Sequence, residues 1–111
     1  MDALYEVNDD NFEETVLRSP VPVLVDFSAE WCGPCKAAVP LLLDVEREYE
    51  GEAKLVTVDV DKSPTLRDQF NIRSVPTLIL FRGGELLERQ VGVPARTTIS
   101  ALIDRGLEAS K

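Results

Sequence analysis

The sequence contains no histidine. Ser-His-Asp hydrolysis, Cys-His proteolysis and His-ligated metal sites are therefore excluded. Basic residues are scarce as well: 12 lysines and arginines stand against 20 aspartates and glutamates, for a formal net charge of −8. Nucleic acid and anionic membranes both require a cationic surface, so neither is expected as a partner. No stretch approaches the ~20 apolar residues of a membrane span. The opening residues, Met1-Asp2-Ala3-Leu4-Tyr5-Glu6, are acidic and mixed. A signal peptide begins basic and continues apolar, so none is expected and the chain reads as cytoplasmic. Cysteine is limited to Cys32 and Cys35. Two are too few for a disulfide scaffold, and two so close in sequence close no long loop. In a reducing compartment such a pair is catalytic, redox-active or metal-binding rather than structural. Zinc needs four ligands and would call for a second subunit, so no metal is expected.

What is present is ordinary for a globular protein. The 111 residues, 44% apolar and 29% charged, suit one domain with one real core. No repeat, low-complexity run or linker divides them, and 1–111 is read as a single domain. Residues 4–7 read as a short edge strand. Asp10 with Glu13 predicts a capping box opening a helix over 10–18, with Phe12, Val16 and Leu17 inward. The nearly continuous apolar run over 21–27 predicts a strand buried on both faces. A helix follows over about 34–49, with Ala37, Ala38, Leu41, Leu42, Val45 and Tyr49 at helical spacing. Pro40 is expected to kink it and Gly51 to end it. A third strand covers 55–60. Ser63 as N-cap and Pro64 at the first helical position open a short helix to about Phe70. A fourth strand covers 77–81, and Gly83-Gly84 turns it into a fifth near 85–91. Ile99, Leu102, Ile103 and Leu107 mark a last helix. Strands separated by helices imply parallel pairing covered on both faces, and the hairpin adds antiparallel strands. The class is α/β with a mixed sheet.

The chemistry concentrates in Ala29-Glu30-Trp31-Cys32-Gly33-Pro34-Cys35-Lys36, where the second strand gives way to the next helix. Unpaired N–H groups and the helix dipole at Cys32 favour an anion. That lowers the thiol pKa and populates the nucleophilic thiolate. Gly33 is read as permitting the turn, and Pro34 suits a first helical turn that has no use for its missing N–H. Cys35 comes within bridging distance of Cys32 and can resolve a mixed disulfide. Trp31 offers apolar area beside the sulfur. Lys36, Glu30 and Asp9-Asp10 read as solvated surface.

Trp-Cys-Gly-Pro-Cys-Lys at 31–36 resembles the signature of the thioredoxin family. The likeness covers nearly the whole chain: Val25-Asp26-Phe27, Pro40, Asp59-Val60-Asp61, Val75-Pro76-Thr77 and Val91-Gly92 stand at similar spacing. The resemblance implies a thioredoxin-like fold, a central five-stranded mixed sheet flanked by four helices. It implies dithiol–disulfide exchange on protein substrates through a redox-active disulfide, Cys32–Cys35, with no bound cofactor. Cys32 would be the exposed attacking sulfur and Cys35 the sheltered one that releases the product. Asp26 matches the family's buried acid, and Pro76 its cis-proline. Trp31, Gly33, Pro34, Val75, Pro76, Gly92 and Val93 match the apolar surface that docks substrates. Implied partners are a thioredoxin reductase, drawing on NADPH or ferredoxin, and clients such as ribonucleotide reductase, peroxiredoxin and methionine sulfoxide reductase. A monomer is the default expectation. The chain departs from the family pattern at Ser28, commonly tryptophan, and at Thr57, often a lysine beside the buried acid. Competing readings are an oxidase or isomerase of an oxidising compartment, and a binding module whose redox activity is incidental.

Overall fold

Hydrophobic periodicity translates directly into the elements of the computed structural model, which describes residues 3–109. They are β1 (Tyr5–Glu6), a π-helical turn (Glu13–Leu17), β2 (Val23–Ser28), α1 (Gly33–Glu48), β3 (Lys54–Asp59), α2 (Pro64–Gln69), β4 (Thr77–Arg82), β5 (Glu85–Val91) and α3 (Arg96–Glu108). The strands form one sheet in the order β1-β3-β2-β4-β5. β3 pairs parallel with β1 and β2, while β4 pairs antiparallel with β2 and β5. β2 is central, which explains its unbroken apolar run: both edges carry neighbours and both faces are covered. β1 is the short edge strand expected. Gly83 and Gly84 take φ of +59° and +83°, as a two-residue hairpin twisted with its strands requires.

Side-chain alternation splits the core into two halves. Val25 and Phe27 of β2 lie on one face with Val58, Ile79 and Phe81, packed against Phe12, Val16 and Leu66. All four phenylalanines meet there. Phe70 stands 5.3 Å from Phe81 and 5.5 Å from Phe12, and Phe27 stands 5.9 Å from Phe70, centroid to centroid. Leu24, Leu55, Leu78 and Leu80 turn to the other face, against Leu42 and Val45 of α1 and Ile99 and Ile103 of α3.

Several local expectations are corrected. The helix expected over 10–18 is a single π-helical turn, and no Asp10–Glu13 capping box forms. Asn8 takes that part: its Oδ1 accepts the backbone N–H groups of Asp10 and Asn11 at 2.9 and 3.2 Å. Ser63 occupies the N-cap of α2, but its side chain caps nothing. The Asp9 carboxylate accepts the N–H groups of Thr65 and Leu66 instead, at 3.3 and 3.0 Å. A carboxylate satisfies the helix start better than a hydroxyl because it also meets the positive end of the dipole. Asp9 is therefore a tether between the N-terminal loop and α2, not merely solvated. In α1, Ala38, Leu42, Val45 and the C-cap Tyr49 are buried at three- and four-residue spacing, whereas Ala37 falls off that stripe and is exposed. Pro40 lies inside α1 on its exposed side, and the helix continues to Glu48.

Candidate redox site

β2 ends at Ser28, and α1 begins five residues later. Cys32 is the N-cap of α1, in extended conformation (φ −89°, ψ 109°). Its Sγ accepts the N–H of Cys35 at 3.2 Å, which sets the sulfur among the unpaired donors of the helix start. Cys32 and Cys35 are joined in a disulfide with Cα atoms 5.3 Å apart, inside the usual range. Gly33 does not play the role expected of it. It has no positive φ, and a Cβ built there meets nothing within 4 Å. The change of direction is absorbed by the extended Cys32, and Pro34 sits in the first turn without disturbing it.

Exposure does not distinguish the two cysteines, contrary to expectation: Cys32 is 4% and Cys35 2% exposed. Cys32 Sγ is closed on one side by Cys35 and faces the Val75 carbonyl oxygen, 3.8 Å away, on another. What differs is direction. Trp31 and Val75, beside Cys32, border an outer groove of about 360 Å³, shared with Asp61, Ile72 and Arg73. Cys35 lines an inner pocket of about 200 Å³ together with Asp26, Ser28, Lys36 and Thr57.

Asp26 lies in the middle of β2, level with Thr57 of β3 and Leu78 of β4. It is 3% exposed, and its Oδ1 has no hydrogen-bond partner among the described residues. Burial disfavours the charged form and pushes the carboxyl up to about 7. Thr57 does not offset this. Its Oγ1 donates to the backbone carbonyl of Asp26 at 3.0 Å and lies 3.1 Å from Ser28 Oγ. The two departures from the family pattern thus satisfy each other, and no cation pairs with the carboxyl among the described residues.

Trp31 is 71% exposed. It is held by one bond, from Nε1 to Asp61 Oδ2 at 2.9 Å. Asp59 shapes that loop by accepting the N–H groups of Asp61 and Lys62 on Oδ1. The Val75–Pro76 peptide is cis, and Gly92 takes φ of +88°. The Gly92 N–H donates to the Pro76 carbonyl at 2.8 Å, which joins the ends of two strands into one ledge. Val93 is exposed there. So is Val91, at the end of β5, a position that no motif in the sequence marks as functional. Its position at the end of an edge strand was the available signal. Asp61 was read only as part of a family landmark; no local pattern marks it as the partner of Trp31.

A family model described as Thioredoxin matches residues 3–105. Thioredoxin 1 of Nostoc sp. is 43% identical over 107 residues, 96% of this chain and all of that protein. Thioredoxin of Synechocystis sp. is 41% identical over 107 residues, again 96% of this chain and all of the relative. Thioredoxin of Allochromatium vinosum is 42% identical over 103 residues, covering 93% and 96% of the two chains. A mixed sheet with a disulfide at a helix start, set beside these relatives, defines a protein-disulfide oxidoreductase. The chain belongs to the thioredoxin family. Its reaction is dithiol–disulfide exchange on proteins through Cys32 and Cys35. Among the described residues no helix is long and apolar enough to cross a membrane.

Proposed function

We propose that Cys32 and Cys35 divide the reaction by the directions they face. The supporting observation is that Cys35 lines the inner pocket with Asp26, while Cys32 does not and instead lies against Val75 and next to Trp31, two residues of the outer groove. In the reduced protein the Cys32 thiolate attacks a client disulfide. A mixed disulfide forms, and one client sulfur leaves as a thiolate. Asp26 then takes the Cys35 proton, a task suited to a carboxyl that titrates near neutrality. The Cys35 thiolate attacks Cys32 Sγ, closes the disulfide and expels the second client sulfur. Two electrons pass to the client. Trp31, Gly33, Pro34, Val75, Pro76, Gly92 and Val93 form the docking surface.

Family membership supports regeneration by a thioredoxin reductase fed by NADPH or ferredoxin. It also supports clients of the ribonucleotide reductase, peroxiredoxin and methionine sulfoxide reductase kinds. The disulfide is the only redox group the cycle requires, with no bound cofactor or metal. The charge of −8 speaks against nucleic acid and anionic membrane as partners. A monomeric, cytoplasmic protein acting as one domain over 1–111 completes the reading.

The test uses insulin as client. Cys35→Ser accumulates a mixed disulfide through Cys32, and Cys32→Ser accumulates none. Iodoacetamide alkylates Cys32 of the reduced wild type much faster than Cys35. Capture of insulin by Cys35 in Cys32→Ser would reverse the assignment.

A further inference from the structure

The chain is acidic, and most of its cations are engaged. Among the described residues six arginines and lysines pair with carboxylates. Arg82 and Arg89 donate to the carbonyl oxygens of Pro20 and Phe70. Lys36, Lys54 and Arg73 have no such partner among the described residues. Lys54 opens β3, level with the start of β2 and so at the sheet end opposite the dithiol. Lys36 lies on the inner pocket. Two arginines line the outer groove, Arg67 and Arg73. Arg67 pairs with Asp68, whereas Arg73, exposed between Ile72 and Ser74, is the one of these three unpaired cations that lies there.

The acidic groups around that groove are already occupied. Asp61, the carboxylate that lines the groove, keeps its charge but is fixed by the Trp31 indole, while nearby Glu30 pairs with Lys62 and Asp68 with Arg67. The groove beside Cys32 therefore presents a free guanidinium within an otherwise anionic molecule. At physiological salt the Debye length is about 8 Å, so the charge nearest a docked segment outweighs the distant net charge. A guanidinium also presents a donor fork matched to a carboxylate.

We infer that Arg73 is a specificity-determining residue, selecting clients that carry an aspartate or glutamate beside the cysteine that Cys32 attacks. This rests on Cys32 being the attacking sulfur. The arginine takes no part in bond making; it holds the client segment in the groove while the sulfurs exchange.

The experiment uses symmetric disulfide-linked peptide dimers, in which either sulfur is equivalent. Three differ only in the residues flanking the cysteine: Asp, Asn or Lys. The reduced wild type should reduce the Asp peptide about three- to fivefold faster than the Asn peptide, the size of an exposed charge pair, and the Lys peptide slowest. Arg73→Gln should level the three rates, and Arg73→Glu should invert their order. Both variants should keep the wild-type rate of Cys32 alkylation by neutral iodoacetamide. Salt at about 0.5 M should compress the differences. Equal rates in the wild type, or an Asp preference that survives Arg73→Glu, would overturn the inference. A wild type that reduces none of the peptides would overturn the redox reading and this inference with it.

Discussion

The two faces of the sheet are packed by different rules. Toward α2 and the π-helical turn, four phenylalanines interlock with valines of β2 and β3. Toward α1 and α3, leucines and isoleucines fill the core, but Asp26, midway along β2, borders a pocket with its Oδ1 unpartnered among the described residues. The disulfide sits at the seam: both cysteines join the aromatic half, and Cys35 also borders the pocket. One face supplies cohesion. The other tolerates a buried acid that opposes folding whenever it is charged. A domain of this size can carry such a group only because the rest of its core is closely packed.

The largest effect should come from breaking the cohesive face. Phe81→Ala removes a ring that stands 5.3 and 5.5 Å from Phe70 and Phe12. It should cost about 3–5 kcal/mol in urea unfolding. The exchange rate per folded molecule should not change.

The opposite sign is expected on the other face. The Asp26 carboxyl rises from 3.8 unfolded to about 7 folded. Between those values the native state holds a proton that the unfolded state has lost, so stability falls as pH rises through that window. The full penalty stands above about pH 7. Asp26→Ala should therefore stabilise the protein near pH 9, by an amount on the order of 3 kcal/mol after the loss to the cavity. Near pH 4 that advantage should vanish. Urea midpoints of both proteins across this range decide the matter, and a variant less stable at every pH would contradict the burial penalty.

Thr57→Lys sharpens the contrast by adding a second cation to the inner pocket, beside Lys36, at the position level with Asp26 across the strands. The Asp26 midpoint should fall by about one unit, read from its carboxyl carbon resonance, because an opposite charge favours the ionised form. An unchanged midpoint would mean that the new ammonium reaches solvent instead. Asp9→Ala is the mildest change. Loss of the carboxylate cap on α2 should cost about 1 kcal/mol, with faster amide exchange at Thr65 and Leu66.

The parts of the site that were legible beforehand are those set by neighbours in sequence. Cys32 and Cys35 are three residues apart at a strand-to-helix junction, so one helical turn brings them together wherever the helix lies. The apolar run through Val25 and Phe27 marks a central strand because it is short and rich in β-branched residues, and a strand buries consecutive side chains only when both its faces are covered. Gly33 misled for a local reason too: the conformation attributed to it is adopted by Cys32 one position earlier. Ala37 misled because an alanine fits either side of the buried stripe with little consequence.

Sequence alone therefore determined the element order, the mixed sheet and the dithiol, since hydrophobic periodicity and helix-terminus chemistry act over a few residues. Tertiary structure decided what depends on distant segments meeting. It brought the Asp9 carboxylate to the start of α2 and Asp61 to the Trp31 indole, and it bonded the hydroxyls of Ser28 and Thr57 to each other and to the Asp26 backbone carbonyl. It also buried both cysteines alike and put Cys35, but not Cys32, on the pocket that holds Asp26. The reason is that hydrogen bonds and solvent access are set by positions in space. A chain reversal through a sheet makes residues 30 to 60 apart in sequence as close as neighbours.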